Sequence, residues 1–341
     1  MSRKASFRLT ILAAVLLLAS AFYYLPYYVS KPGMAKELEP IIEVEGGYEE
    51  EGSFMLTTVR MGRANIYSYV IAHFSKYQEI YKLEEIRPEH ETDEQYTARQ
   101  LHLMDNSKYT AMEVAYKEAG KPVDYHFNGI YVVSVVPGMP ADGKLEVGDQ
   151  LFGVDGTEFQ SSQQFIEYVT GKKEGEKVEI AFKRNGKKRT VSIPVKRFDN
   201  RSERVGIGIV PDDDKEIIVE PEVKMKTDEI GGPSAGLMFS LEIYNQLTKE
   251  DFTKGYQIAG TGTISSDGTV GRIGGIEQKI IAADKSGAEI FLAPAENGAE
   301  DSNYNVAVKT ARDIDTKMKI IPVDTFDDAV SYLQKLKEKT S

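Results

Sequence analysis

The chain has 341 residues, enough for two domains that each bury a core. It is 41% hydrophobic and 28% charged, carries a net charge of −11 and contains no cysteine. Disulfides, thiolate metal sites and cysteine nucleophiles are therefore excluded, and the acidic balance argues against nucleic-acid binding. His73, His90, His102 and His126 are scattered, and none sits in a His-Glu-x-x-His pattern, so the sequence offers no zinc site.

The first element is apolar. From Leu9 to Val29 no residue is charged, and 21 such residues as a helix reach across the ~30 Å hydrocarbon layer. Arg3, Lys4 and Arg8 precede it and no acid occurs before Val29, so the rest of the chain carries −14. The positive-inside rule then makes residues 1–8 a cytoplasmic tail and 9–29 a transmembrane anchor in a lipid bilayer. Tyr23, Tyr24, Tyr27 and Tyr28 cluster at its outer end as an interfacial belt. Ala19-Ser20-Ala21 also fits a signal-peptide cleavage site, but the apolar run continues past it, which favours an uncleaved anchor. Both readings place the working part outside the cytoplasm.

Residues 30–50 are acidic and Pro/Gly-punctuated, reading as a stalk into the first domain, which extends to 124. Residues 53–60 and 65–74 have strand composition, the second running into a helix. Residues 76–119 carry apolar positions at helical spacing, among them Leu101, Met104, Met112 and Ala115, with a polar loop around Arg87–Asp93.

The texture changes at 125–198. Ile130–Val136 reads as an apolar strand, and Pro140-Ala141, Gly148-Asp149 and Asp155-Gly156 punctuate the residues after it. Phe165, Ile166 and Val169 share one face of a short helix, and Lys177–Lys183 and Lys188–Val195 form a hairpin around Asn185-Gly186. This stretch resembles a PDZ domain. The resemblance implies a groove between the strand from Ile130 and the helix holding Phe165, where an extended peptide adds as a strand. Phe127-Asn128-Gly129-Ile130 would stand as its carboxylate-binding loop.

Residues 199–341 hold the chemistry. Gly231-Gly232 frees the backbone and Pro233 suits a helix start, and Leu237, Met238, Leu241, Tyr244 and Leu247 then repeat at helical spacing. Ser234 thus sits near a helix N-terminus, where free backbone N–H groups stabilise an oxyanion, although serine is also an ordinary helix cap. Farther on, helical spacing places Lys279 on one face with Ile276, Ile280 and Ala283. Burial there lowers a lysine pKa, and a neutral amine can take the proton of a serine hydroxyl.

The run from Val223 to Asn297 resembles the proteolytic domain of Lon-type proteases. Gly232-Pro233-Ser234-Ala235-Gly236 matches the nucleophile motif and Gly274-Gly275-Ile276-Glu277-Gln278-Lys279 the lysine motif. Gly260-Thr261-Gly262-Thr263-Ile264 and Ile290–Asn297 match the strands between and after them. The resemblance implies an α+β fold of mixed sheets and helices, with Ser234 as nucleophile, Lys279 as general base and acid, and Thr261 supporting the lysine. The oxyanion would meet backbone N–H groups of Gly232, Ser234 and Ala235. In Lon itself an acid often stands just before the Gly-Pro-Ser; here Gly231-Gly232 do, with Asp228 and Glu229 upstream.

No Gly-x-x-x-x-Gly-Lys-[Ser/Thr] phosphate loop occurs. The order anchor, PDZ, Lon-like domain is similar to the membrane-anchored, PDZ-containing Lon-like proteases of bacteria. That similarity implies a PDZ segment inserted into the protease domain, with residues 40–124 supplying the protease domain's first strands and helices, and an endopeptidase that works without ATP, metal or organic cofactor. Its expected partners are secreted peptides or unfolded extracytoplasmic segments, while assembly into an oligomer stays open. Two other readings remain: a tethered PDZ adaptor with a dead protease, disfavoured by the intact Ser234–Thr261–Lys279 set, and a Ser-His hydrolase using His126, which only the residue type supports.

Overall fold

The computed structural model describes residues 3–87, 91–198, 204–227 and 230–339. His90, Asp228 and Glu229 lie outside the described residues. In chain order the main strands are β1 (Tyr24–Glu37), β2 (Ser53–Asn65), β3 (Glu79–Lys82), β4 (Val123–Val135), β5 (Gln150–Val154), β6 (Lys177–Arg184) and β7 (Lys187–Pro194). They continue with β8 (Ile209–Val219), β9 (Gln257–Gly260), β10 (Ile290–Pro294) and β11 (Lys319–Val323). The main helices are α1 (Arg3–Ala21), α2 (Ile66–Phe74), α3 (Asp93–Glu118), α4 (Ser162–Thr170), α5 (Gly236–Leu247), α6 (Ile276–Lys285), α7 (Asn303–Asp313) and α8 (Phe326–Gln334).

One six-stranded sheet runs β11-β10-β9-β2-β1-β3. Its C-terminal strands pair in parallel, and β9 also runs parallel to β2, whereas β1 pairs antiparallel with β2 and β3. Parallel strands are covered on both faces, and β10 accordingly reads Ile-Phe-Leu-Ala-Pro with every residue buried. Residues 24–82 and 257–323 therefore share one sheet, although about 170 residues separate β3 from β9. Phe54 and Leu56 of β2 meet Leu237, Met238 and Phe239 of α5 in the main core.

The second sheet is antiparallel, in the order β8-β4-β5-β6-β7. The β6–β7 turn falls at Asn185-Gly186, both at positive φ (51° and 77°), as the Asn-Gly signal requires. The sheet does not end at residue 198: β8 pairs with β4 along its length, from Ile209↔Val135 to Val219↔Val123. Its closing strand thus comes from chain beyond the stretch expected from sequence.

The N-terminus also departs from expectation. The helix stops at Ala21, and Tyr24–Val29 enter β1, where Tyr28 and Val29 are buried. Pro26 lacks the N–H a helix needs, and the aromatic and β-branched residues after it fit a strand between two partners. The uncharged part of α1, Leu9–Ala21, spans only about 20 Å. Among the described residues no helix is long and apolar enough to cross a membrane. Nor are residues 30–37 a stalk, since they continue β1 in the sheet.

Phe54 has no exposed surface and stands opposite Ile258 of β9. Phe54→Ala should destabilise the fold by about 3–5 kcal/mol, the usual cost of deleting a buried aromatic ring. Chemical denaturation followed by circular dichroism measures it. A cost below about 1 kcal/mol would show that β2 is not part of this core.

Candidate active site

Ser234 lies two residues before α5, on a turn that needs unusual backbone: Gly232 has φ 86°. Helix α3 holds this turn in place. Gln100 O accepts from Gly232 N at 3.0 Å, and Ser107 Oγ donates to Pro233 O at 3.1 Å. Neither residue carries a motif, so α3 was legible only as a helix, not as the brace of the nucleophile.

Lys279 comes from α6, whose start is set by Gly275 at φ 69°. The helix turns Ile276, Ile280 and Ala283 into a core with Phe291 and Ala259, and Lys279, 2% exposed, is carried in with them. Its Nζ lies 2.8 Å from Ser234 Oγ and 2.8 Å from Thr261 Oγ1. Thr261 Oγ1 in turn donates to Ser234 O at 2.9 Å. That bond uses the threonine's only hydrogen, so its oxygen can only accept from the lysine. One N–H of a neutral Lys279 is thereby committed to Thr261, and the nitrogen lone pair is left for the Ser234 hydroxyl. Burial pushes the lysine pKa from 10.5 down to about 7.

The expected oxyanion site needs one correction. Gly232 N–H already donates to Gln100 O and is not available. The N–H groups of Ser234 and Ala235 have no partner among the described residues and open the first turn of α5. A cleft of about 590 Å³ fronts the pair. Met34, Met61, Tyr96 and Met104 give it apolar walls, and Lys36 and Arg60 add positive charge. His126 is not part of it: it pairs with Glu216 in the second sheet, which removes the Ser-His alternative.

The peptide groove of the second sheet also differs from expectation. Phe127, Gly129 and Ile130 sit on β4, opposite Lys215, Asp214 and Asp213 of β8, while Ile130 pairs with Leu151 of β5 on the other side. One edge is taken by β8 and, from Ile130 on, the other by β5, so no strand can be added along the run from Ile130 where the groove was expected. Phe165 does line a groove, of about 210 Å³, but against Val205–Pro211. Edge strand β8 begins there, and Gly208, at φ 88°, makes the bend. The Gly-Ile-Gly-Ile run at 206–209 was the overlooked signal.

The buried lysine has two measurable consequences. Labelling of Ser234 by a fluorophosphonate should accelerate as pH rises through about 7, where Lys279 loses its proton, and should be lost in Lys279→Ala. A rate independent of pH between about 5 and 9 would remove the lysine as base. Burial should also cost stability. The unfolded chain keeps this lysine protonated up to 10.5, whereas the folded chain holds it neutral above about 7. Lys279→Met should therefore melt higher than wild type, with the gap largest below pH 7 and narrowing as pH rises towards 10.5. A constant gap would mean no depressed pKa.

Comparison with known proteins finds two kinds of domain in the chain. Residues 101–195 match the PDZ domain model, and residues 190–335 match the Lon protease (S16) C-terminal proteolytic domain. The chain is 35% identical over 145 residues to the Lon protease of Campylobacter concisus, covering 39% of this chain and 17% of that protein. It is 35% identical over 101 residues to the Lon protease of Neorickettsia sennetsu, covering 30% of this chain and 11% of that protein. The aligned part thus spans no more than about a sixth of these relatives. A solved PDZ domain of an SdrC-like protein from Listeria monocytogenes is 37% identical, covers 25% of this chain and 90% of its own, and superposes with a TM-score of 0.24. The chain therefore carries a Lon-type proteolytic domain, a Ser-Lys serine peptidase, together with a PDZ domain.

Proposed function

We propose that the chain is an ATP-independent endopeptidase held at a membrane, cleaving flexible peptide segments outside the cytoplasm. The observation that carries the chemistry is the buried Lys279 Nζ 2.8 Å from Ser234 Oγ. Ser234 Oγ attacks the scissile carbonyl while its proton passes to neutral Lys279. The tetrahedral oxyanion meets the N–H groups of Ser234 and Ala235. Lys279 then gives the proton to the leaving amine, and the acyl group remains as an ester on Ser234. Water attacks that ester, losing a proton to Lys279, and the serine is released with its hydrogen restored.

Independence from ATP is supported by the absence of a phosphate-loop motif from the 341 residues. Membrane attachment is supported by α1, whose Ile11, Leu12, Val15, Leu17 and Leu18 are exposed around the helix rather than packed. Its uncharged residues continue into Phe22–Tyr24, which are exposed as well. Arg3, Lys4 and Arg8 at the start favour a cytoplasmic N-terminus. Substrates are peptides or unfolded segments with an apolar side chain facing the methionines of the cleft, and the α4 groove supplies a second point of peptide contact.

Casein digestion by wild type, Ser234→Ala and Lys279→Ala without ATP tests the reading. Wild type should cut and both variants should fall at least about 10³-fold. Equal cutting by all three would point to another nucleophile.

A further inference from the structure

The proteolytic sheet carries an extension that catalysis does not use. Strands β1 and β2 run on past the cleft to Tyr24 and Asn65, and α2 caps the end of this ribbon. Asn65 caps the helix, its side chain accepting from Ser68 N at 2.8 Å. One face of α2 is anchored: Ala72 is buried with Val29 and Ala64, and Tyr69 packs beside them. The opposite face is apolar and bare. Ile66, Tyr67, Val70, Ile71 and Phe74 fall on one side at i, i+1, i+4, i+5 and i+8, with Ile71 59% and Phe74 84% exposed.

Two further observations say what covers this face. Helix α2 is attached to the last turn of α1: Tyr67 OH donates to Leu17 O at 2.8 Å and lies 2.7 Å from Ser20 Oγ. The bare face is thus continuous with the exposed apolar surface of α1. Charge is the second. Residues 1–36 and 53–78, which build α1, β1 up to its last residue Glu37, β2 and α2, hold eight lysines and arginines and no acid, of which Lys36 and Arg60 face the cleft and Lys76 pairs with Asp313. Their +8 leaves −19 on the rest of a −11 chain. A basic, apolar, Tyr-rich corner on an acidic protein complements an anionic lipid surface.

We propose that α2 is a membrane-surface helix, lying in the headgroup region with Ile66, Tyr67, Val70, Ile71 and Phe74 in the acyl boundary. This rests on the reading that α1 enters the bilayer. Because β1 and β2 join α2 to the wall of the cleft, the two contacts hold Ser234 at a fixed height above the membrane. The substrates favoured are then segments close to a bilayer, the juxtamembrane parts of anchored proteins or peptides adsorbed to lipid.

The chain has no tryptophan, so single reporters read cleanly. Phe74→Trp, Leu12→Trp on α1 and Tyr48→Trp as a solvent control would be reconstituted, in the full chain, into phosphatidylcholine–phosphatidylglycerol vesicles. Leu12→Trp should be quenched by lipids brominated deep in the acyl chain, Phe74→Trp by lipids brominated near the headgroup, and Tyr48→Trp by neither. Lipid quenching at position 12 with water-accessible Phe74→Trp would overturn the α2 proposal and leave the α1 reading intact. No lipid quenching at either position would overturn both. Protection of Phe74→Trp from aqueous quenchers without lipid quenching would mean that a protein, such as a second copy, covers the face, and would also overturn it. In a second arm, Val70→Asp/Ile71→Asp should slow cleavage of a vesicle-tethered substrate by about tenfold or more. Cleavage of a soluble peptide by the same preparation should be unchanged. Equal rates on the tethered substrate would remove the positioning role.

Discussion

Everything catalytic here depends on keeping one amine dry. Lys279 sits on a helical face made of Ile276, Ile280 and Ala283, and that face must pack against the proteolytic sheet to bury it. Each unit by which burial lowers a pKa corresponds to about 1.4 kcal/mol, so a lysine held near 7 costs several kcal/mol of folding stability at neutral pH. The surrounding core offsets that cost, and the site receives an amine that can be neutral near pH 7. Thr261 completes the device without adding charge, by accepting from the lysine and donating to the backbone of the nucleophile.

The same constraint explains why the sheet recruits strands from distant parts of the chain. Strand β9 leads into Thr261 and lies between β10 and β2, so the wall behind the lysine needs both the C-terminal and the N-terminal strands. Helix α3 then closes the arrangement from the other side. It holds the Ser234 turn through Gln100 and Ser107, while His102 and Asn106 reach Asp212 of β8 at 3.0 and 2.5 Å. His102 also stacks on Tyr131 of β4. One helix therefore bears both on the nucleophile and on the PDZ sheet.

Much of this was legible in the residues alone. The role of Thr261 followed only from the resemblance of its motif to the Lon-type domain, whereas Ser234 and Lys279 could be read as candidates because each lies in a short segment whose local geometry the residues themselves impose. The hairpin at Asn185-Gly186 was legible for the same reason. The groove was misplaced because a strand's open edge is a property of the sheet: the run from Ile130 reads as a good strand, yet at Ile130 and Tyr131 β8 and β5 occupy both its edges. Likewise Gly232 was expected among the oxyanion donors, and only the approach of α3 shows its N–H to be engaged.

The N-terminus marks the boundary most sharply. A run of 21 uncharged residues looks uniform to a hydropathy count, but pairing with β2 and β3 draws Tyr24–Val29 out of the helix and into the sheet. The sequence by itself determined the class of chemistry, because a serine at a Gly-Pro turn and a lysine on an apolar stripe are local facts. It determined the two kinds of domain as well, through turn and strand patterns. Only the tertiary structure decided which segments complete each sheet, which edges and N–H groups stay open, and which apolar faces stay bare. Those are outcomes of competition between partners far apart in the chain, and no local pattern records who wins.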